Sequence, residues 1–342
     1  MESNPVHLVS APHDCHSCGG LAGSAIEVSA GHGGWGAPIE TGENRGNLRW
    51  PWALTLGLGG LDSIWADRAG LAFVGWLRPA CVLIFLLLVG FLYGYSGRNR
   101  RLSDAGNYAG LWVAFSASGA VFTYLCATLA MPLRDTEFIA IDAVMGFHWL
   151  TWARFVGAHR GLEVPLFIAY STFLPQIVGS ILYFAHTEQT ARNGELIWIA
   201  MLSLILTTIV SALLPAVGPY VHFYGRQTDD IAVLMNLRAH GAQSFVIGGL
   251  QGIITLPSFH TVLAMVFIYV HRPPSRSFVP VAILNGLMLI AIPSEGHHYL
   301  IDMISGAAVA AGCIAIVRAA MGKESVAPTV ASASTVHDAV SG

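Results

Sequence analysis

The chain has 342 residues, of which 54% are hydrophobic and 11% are charged, and its formal net charge is −3. A soluble domain usually has about 25% charged residues, so this composition argues against a soluble protein and predicts a chain that crosses a membrane several times. The sequence has no basic stripe and no run of interleaved basic and aromatic residues, which argues against nucleic acid as a partner.

Residues 1–50 are rich in glycine and polar residues and have no charged-then-apolar start of a signal peptide. Their composition predicts a disordered tail. Within it, Cys15 and Cys18 have the spacing of a metal-binding pair. A structural zinc site needs four ligands held by an ordered fold, so we predict no metal site there.

Apolar segments that approach membrane-spanning length follow in chain order. They lie at about 79–97, 107–131, 164–185, 196–217, 257–271, 279–295 and 298–318. A weaker segment, 51–66, carries Asp62, and the polar residues that interrupt 137–160 favour an interfacial or re-entrant helix. The pattern predicts an all-α, polytopic transmembrane helical bundle of about 7–8 spans over residues 51–318, followed by a disordered tail at 319–342.

Basic residues near the ends of these segments predict the orientation, because Lys and Arg concentrate in cytoplasmic loops. They follow the first clear span, the 257–271 segment and the last span: Arg98, Arg100, Arg101, Arg272, Arg276, Arg318 and Lys323. These three ends alternate correctly to lie on one side. The segments that begin near 257 and 298 therefore start at the extracytoplasmic face, and with eight spans both termini are cytoplasmic.

Two polar motifs open apolar segments at that face, and one apolar segment lies between them. They are Pro257-Ser258-Phe259-His260 and His298-Tyr299-Leu300-Ile301-Asp302. On a helix, His298 and Asp302 would share a face, so the carboxylate would fix the imidazole tautomer and leave the other nitrogen as a nucleophile. His297 is five residues from Asp302 and would face another direction.

The first motif supplies complementary groups for an anionic substrate. Pro257 is typical of a helix start, where Ser258 and free backbone N–H groups would contact an anion. His260, in the same turn, would protonate a leaving alkoxide. Phosphate also needs cationic partners, and Arg226 and Arg238 are the nearest candidates in the sequence. Together these groups predict phosphoryl transfer through a phosphohistidine.

Two other functions use the same residues. A proton-coupled transporter or a channel would use His298, Asp302 and His260 as a proton relay, but we find no internal repeat, and the polar groups cluster at segment starts. A zinc enzyme would need metal-site features beyond this set.

The motifs resemble the type 2 phosphatidic acid phosphatase superfamily, which also includes vanadium haloperoxidases. Within it, the chain looks like the branch of inositol phosphorylceramide synthases and their bacterial relatives. The segments that carry the resemblance are 257–261, which matches Pro-Ser-x-His, 296–302, which matches His-x-x-x-Asp, and also 214–220 and 132–135. The resemblance covers about 132–318.

This resemblance implies that His298 is the nucleophile, Asp302 its orienting partner, His260 the general acid and Ser258 a phosphate contact. It implies a lipid phosphate substrate, membrane lipids as surroundings, no cofactor, and a bacterial inner membrane. Either a phosphatase or a headgroup transferase, such as an inositol phosphorylceramide synthase, fits the motifs. The wider superfamily has an arginine six residues before the nucleophile, where this chain has Ile292.

Overall fold

The computed structural model describes residues 48–226, 228–240, 244–250 and 252–324. Residues 1–47 and 325–342, which make up most of the two predicted tails and include Cys15 and Cys18, lie outside the described residues. Helix α1 begins at Arg49, and the last helix continues to Glu324 beyond the predicted end at residue 318.

The described residues form helices almost throughout, which confirms the all-α prediction. The helices are α1 (Arg49–Ala69), α2 (Leu77–Tyr95), α3 (Arg100–Ala127), α4 (Asp135–Val144), α5 (Trp149–Ala158), α6 (Arg160–Ser171), α7 (Phe173–His186), α8 (Thr190–Leu213), α9 (Pro219–Tyr224), α10 (Asp229–Arg238), α11 (Phe259–Val270), α12 (Phe278–Glu295) and α13 (Leu300–Glu324). Two short strands, β1 (Ala72–Val74) and β2 (Ser244–Val246), pair in parallel with Ala72 opposite Ser244.

Five of these helices are long and apolar enough to cross a membrane, and α6 with α7 forms a sixth candidate that is bent by 50°. The chain is therefore a polytopic integral membrane protein. The predicted count of seven or eight is reached only by adding α11 and α1. The 12 residues of α11 rise about 18 Å, which is short of a hydrocarbon core of about 30 Å.

Helix α2 has an exposed apolar surface that is suited to contact with lipid. Only Gly90 of its 19 residues is buried, and most of its large apolar side chains are exposed. Water would make such a surface costly, whereas hydrocarbon accommodates it. Helix α2 therefore lies at the lipid-facing side of the bundle and packs mainly against α3.

The segment predicted to be one interfacial or re-entrant helix near 137–160 is two short helices, α4 and α5. The chain turns between them at Met145–His148, where Gly146 has a φ of 76°. Each helix has 10 residues, so neither is long enough to span a membrane.

The short helix α11 occupies the core of the bundle, where it packs against α7, α8, α12 and α13. Its start lies very close to α13 because Gly306 has no side chain. A Cβ atom at Gly306 would lie 2.5 Å from the carbonyl oxygen of Ser258 and 3.1 Å from the Cβ of Thr261. The missing side chain thus allows the two polar motifs to meet.

Candidate active site

The structure brings His298 and Asp302 together, but in a different way from the predicted helical spacing. Helix α13 begins at Leu300, so His298 precedes the helix. The Asp302 carboxylate turns back toward the helix start, where its Oδ2 lies 3.2 Å from His298 Nδ1 and accepts a hydrogen bond of 2.9 Å from the Tyr299 backbone N–H. The contact is present, although the assumption that both residues share a helix face is wrong.

The imidazole of His298 is buried, with 5% of the residue exposed. Burial disfavours the charged imidazolium and lowers the pKa of His298 to about 4, although the backbone carbonyl of Thr255 opposes this shift. The side chain is therefore neutral near pH 7. Since Nδ1 faces Asp302, a neutral ring that carries its proton on Nδ1 has its lone pair on Nε2.

The neighbouring His297 has a separate environment. Its backbone φ is 52°, and its ring stacks on Tyr220 with a centroid separation of 4.4 Å. Burial is the main cause that lowers the pKa of His297. Its ring packs against aromatic residues, whereas Asp302 Oδ2 pairs with His298. The two adjacent histidines therefore form a natural pair for comparison.

His260 lies in the first turn of α11, and its ring centroid is 6.5 Å from that of His298. Tyr170 stacks on the ring at 4.3 Å, and Phe173 contacts it edge-on at 4.7 Å. The Tyr170 hydroxyl is 3.4 Å from Nδ1, while Nε2 is buried and has no hydrogen-bond partner among the described residues. The ring is thus held in place with one nitrogen free to bond a substrate.

Ser258 is fully buried and forms the N-cap of α11. Its Oγ accepts a hydrogen bond of 3.4 Å from Thr261 N–H, and its own N–H donates to the Asp302 carbonyl at 2.9 Å. Pro257 precedes this cap, so it is not the first helical residue that the sequence suggested. Ser258 ties α11 to α13, and its contact with phosphate stays a prediction.

Neither predicted arginine contacts the two histidines among the described residues. Arg226 is exposed in the loop after α9. Arg238 is partly buried and donates a hydrogen bond of 2.7 Å to the Met131 carbonyl. Ile292, at the position of the missing arginine, is fully buried. The phosphate-binding roles of Arg226 and Arg238 stay predictions.

Two aspartates of α4 organise the site and were not among the predicted site residues. Asp142 accepts hydrogen bonds of 2.8 and 3.0 Å from the backbone N–H groups of Leu300 and Ile301. Burial raises the pKa of Asp142, although these two hydrogen bonds oppose the shift. A carboxylate at this position caps the start of α13, where the helix dipole favours negative charge.

Asp135 makes the second connection. It accepts hydrogen bonds from Gly218 N–H at 2.9 Å, from Val217 N–H at 3.1 Å and from the Tyr299 hydroxyl at 2.9 Å. It thereby joins the loop before α9 to the residue that follows His298. The sequence could have predicted that the two aspartates act together, because Asp135 and Asp142 are seven residues apart and so lie on the same face of α4.

Gly296 leaves space for two side chains of the candidate site. A Cβ atom at this residue would lie 2.9 Å from Cδ2 of His298 and 3.0 Å from Cε2 of Tyr170. In the structure these two side chains approach the glycine closely. The absence of a side chain at Gly296 thus makes room for Tyr170, which stacks on His260, and for His298.

Among the described residues, no group of three or more His, Cys, Asp or Glu side chains is arranged to hold a metal ion. The candidate site combines three chemical groups. It has a neutral, oriented imidazole, a second imidazole with a free nitrogen, and a buried carboxylate between the starts of two helices.

The part of the chain that carries these two histidines matches a known family. A family model described as the PAP2 superfamily matches residues 136–316, a range that contains His260, His298 and Asp302. No match was found among curated proteins or among solved structures. The family match does not distinguish the branch of inositol phosphorylceramide synthases from the rest of the superfamily. It supports, in general terms, a phosphatase-type activity on lipid phosphates, and the chain is a member of the PAP2 superfamily.

Proposed function

We propose that this protein cleaves or transfers the phosphoryl group of a lipid phosphate through a phosphohistidine on His298. The observation that carries the proposal is the contact between His298 Nδ1 and Asp302, with the free Nε2 of His260 nearby. All three residues lie in the part of the chain that the family model matches.

The first step forms the phosphoenzyme. Asp302 accepts a hydrogen bond from the Nδ1–H of His298, so that Nε2 attacks phosphorus with its lone pair. The bond between phosphorus and the leaving oxygen breaks, and protonated His260 donates its proton to the alkoxide. Bound phosphate favours the protonated form of His260, because an anion stabilises a nearby imidazolium.

The second step releases the phosphoryl group. His260, now neutral, takes a proton from water or from an alcohol, and the resulting oxygen attacks the phosphohistidine. Cleavage of the N–P bond restores His298 and gives inorganic phosphate with water or a new phosphoester with an alcohol. The same residues serve both outcomes, so the choice between phosphatase and headgroup transferase depends on which acceptor reaches the site.

A lipid substrate is favoured by where the reacting groups lie. His260 and His298 are at the starts of α11 and α13, so a headgroup at the membrane surface reaches them while its acyl chains stay among apolar helices. His298 is buried, so the substrate has to displace side chains that cover it. Tyr170 lies next to His260. It is two residues before Thr172, the residue at which the α6–α7 segment bends.

An extracytoplasmic position for the site is favoured by the opposite end of the bundle. There, Arg101 pairs with Glu188 at 3.0 Å, and Arg272 pairs with Glu195 at 2.7 Å. Each pair joins a helix to a turn, α3 to the turn before α8 and α8 to the turn after α11, at the far end of α11 from His260. Basic residues concentrate at the cytoplasmic side, so the histidines belong at the other face.

The test is phosphate release by purified protein in detergent with a chelator present. The substrates are phosphatidic acid, lysophosphatidate and a polyprenyl pyrophosphate, and the variants are His298→Ala and, as the matched control, His297→Ala. We expect His298→Ala to lose at least about 1,000-fold of the rate, since the nucleophile is removed. His297→Ala should stay within about tenfold of wild type.

Equal release by wild type and His298→Ala would contradict the proposal. If wild type releases no phosphate, phosphatidylinositol and ceramide are supplied together and the transfer product is measured. Transfer that depends on His298 assigns the headgroup transferase, and the absence of both activities rejects the proposed chemistry.

A further inference from the structure

A polar cavity lies outside the residues that the family model matches. Its volume is about 200 Å³, and it is formed by α1, α3 and the segment around β1. The residues of interest in its lining are Gly59, Asp62, Ser63, Phe73, Trp76 and Ser118. None of them takes part in the proposed phosphoryl transfer.

Asp62 is the unusual member of this set. It is 4% exposed, and among the described residues neither of its carboxylate oxygens is in an ion pair. A buried carboxylate that lacks a cationic partner is costly, and ionisable residues inside a membrane usually mark a functional site. Within the part of the chain that the structure describes, the Ser118 hydroxyl interacts with Asp62, but no positively charged side chain lies in the cavity lining.

The remaining lining fits a small cation. Ser118 brings a hydroxyl group to the cavity, and Gly59 lets it approach α1, because a Cβ there would lie 3.1 Å from Ser118 Oγ. Phe73 and Trp76 add aromatic rings, whose faces attract cations. No Lys or Arg is among the residues that line the cavity. One carboxylate is too few ligands for a tightly bound metal ion.

The cavity lies toward the same end of the bundle as the candidate active site. Asp62 is seven residues before the end of α1, about 10 Å along the helix axis. Immediately beyond that end, β1 pairs with β2, which precedes Pro257 in the chain. Trp76 is 47% exposed, as is common for tryptophan at a membrane–water interface. A lipid headgroup is therefore within reach.

We propose that this cavity binds a primary alkylammonium group, carried by a lipid headgroup such as phosphatidylethanolamine or by a free amine. The ammonium group neutralises the Asp62 carboxylate and donates hydrogen bonds to its oxygens and to Ser118 Oγ. A quaternary ammonium has no N–H group and leaves the carboxylate oxygens unbonded. A hydroxyl group donates a hydrogen bond but does not balance the charge.

The test uses the full chain in detergent, titrated with phosphatidylethanolamine or phosphatidylcholine and followed by native mass spectrometry. The variants are Asp62→Asn and Asp67→Asn, which removes the same charge from an exposed position of the same helix. Wild type and Asp67→Asn should bind phosphatidylethanolamine at least fivefold more tightly than phosphatidylcholine. Asp62→Asn should lose this preference.

Soluble ethanolamine is the second arm. Competition with the lipid assigns the site to amines in general, and lack of competition assigns it to the lipid headgroup. Equal affinity of wild type for the two lipids, or an unchanged preference in Asp62→Asn, would overturn the proposal. If Asp62→Asn does not fold, Ser118→Ala and the wild-type comparison decide, and Ser118→Ala should reduce the preference at least twofold.

Discussion

The two ends of α11 contain similar polar residues but satisfy them differently. At its start, three atoms are buried without hydrogen-bond partners among the described residues: His260 Nε2, Thr261 Oγ1 and Asp302 Oδ1. In native proteins most buried polar atoms are bonded, so each exception calls for an explanation. A phosphate group and its leaving oxygen would accept hydrogen bonds from His260 and Thr261, whereas Asp302 Oδ1 is itself an acceptor and needs an N–H or O–H donor.

The other end of α11 is a nearly complete network. Arg272 donates two hydrogen bonds to Glu195, at 2.7 and 2.9 Å. Arg192 is almost fully buried and donates to the carbonyl oxygens of Val270 and Arg272 at 2.6 and 2.7 Å. Both ring nitrogens of His271 contact serine hydroxyl groups. These contacts close the C-terminal end of the helix, where basic groups are favoured.

Residue type alone therefore does not locate the site. Histidines and charged residues are present at both ends of α11. What separates the ends is that one keeps hydrogen-bonding capacity free and the other uses it within the protein. We therefore expect substitutions at the start to change the rate and substitutions at the far end to change stability.

The largest expected effect is that of Asp302→Asn on the rate. The amide would donate to Nδ1 of His298 or leave it unbonded, which favours the wrong imidazole tautomer for attack through Nε2. By analogy with other oriented histidines, we expect kcat to fall by about 10³ to 10⁴. Steady-state kinetics measure this, with thermal melting as the check on folding. A kcat within tenfold of wild type would contradict the role of Asp302.

At the far end, Glu195→Gln should act on stability. It leaves the guanidinium of Arg272 buried without its charge partner, which typically costs about 3–5 kcal/mol. The rate per folded molecule should stay within about threefold of wild type. The matched control is Glu188→Gln, which breaks the exposed pair with Arg101 and should cost less than about 1 kcal/mol. Reversible unfolding in mixed micelles measures the free energy of unfolding of both variants, and equal losses would contradict the special role of the buried pair. A fall of more than about threefold in the rate of folded Glu195→Gln would reject the distinction between the ends.

A smaller, mixed effect is expected for Asp142→Asn. The change weakens the cap on α13 that holds Leu300 and Ile301, at a cost of about 1–3 kcal/mol. His298 is two residues before that helix, so we expect kcat to fall about tenfold as well. Glu137→Gln alters an exposed residue of the same helix and should change neither quantity. Unaltered kcat in Asp142→Asn would show that the cap does not position His298.

The smallest expected effect is that of mild acid. With a pKa of about 4, His298 is only about 3% protonated at pH 5.5, whereas an ordinary histidine would be about 90% protonated. Protonation of His298 should therefore lower the rate of phosphoenzyme formation only slightly between pH 7 and pH 5.5, once the rate is corrected for ionisation of the substrate. If the pH–rate profile has an acid limb with a midpoint near 6.5 that is caused by protonation of His298, the buried, neutral state of this residue is contradicted.

The same shift has a consequence for stability. The folded pKa of His298 is below the unfolded value of 6.5, so the unfolded chain binds more protons at low pH. This contribution to stability is complete above about pH 6.5 and declines as the pH falls toward 4. His298→Gln should flatten that part of the pH dependence.

Sequence reasoning located the two motifs and the helical architecture, because apolar length and polar interruptions are local properties. It assumed the wrong route to the His298–Asp302 contact, since the start of α13 is set by the Asp142 cap from another helix. The close packing through Gly306 likewise depends on tertiary structure. The capping role of Ser258 was available locally, because serine before a helix is a common N-cap.

The central claim is that phosphate becomes attached to His298, and the most direct measurement is to locate it. The enzyme is mixed with radiolabelled lipid phosphate, quenched in alkali, where phosphohistidine is stable, and mapped by peptide fragmentation. In the His297→Ala variant, His298 is the remaining histidine of the adjacent pair, so the labelled residue is identified without ambiguity. We predict label on His298 that is absent from His298→Ala. Turnover without label on His298, or label on another residue, would contradict the account.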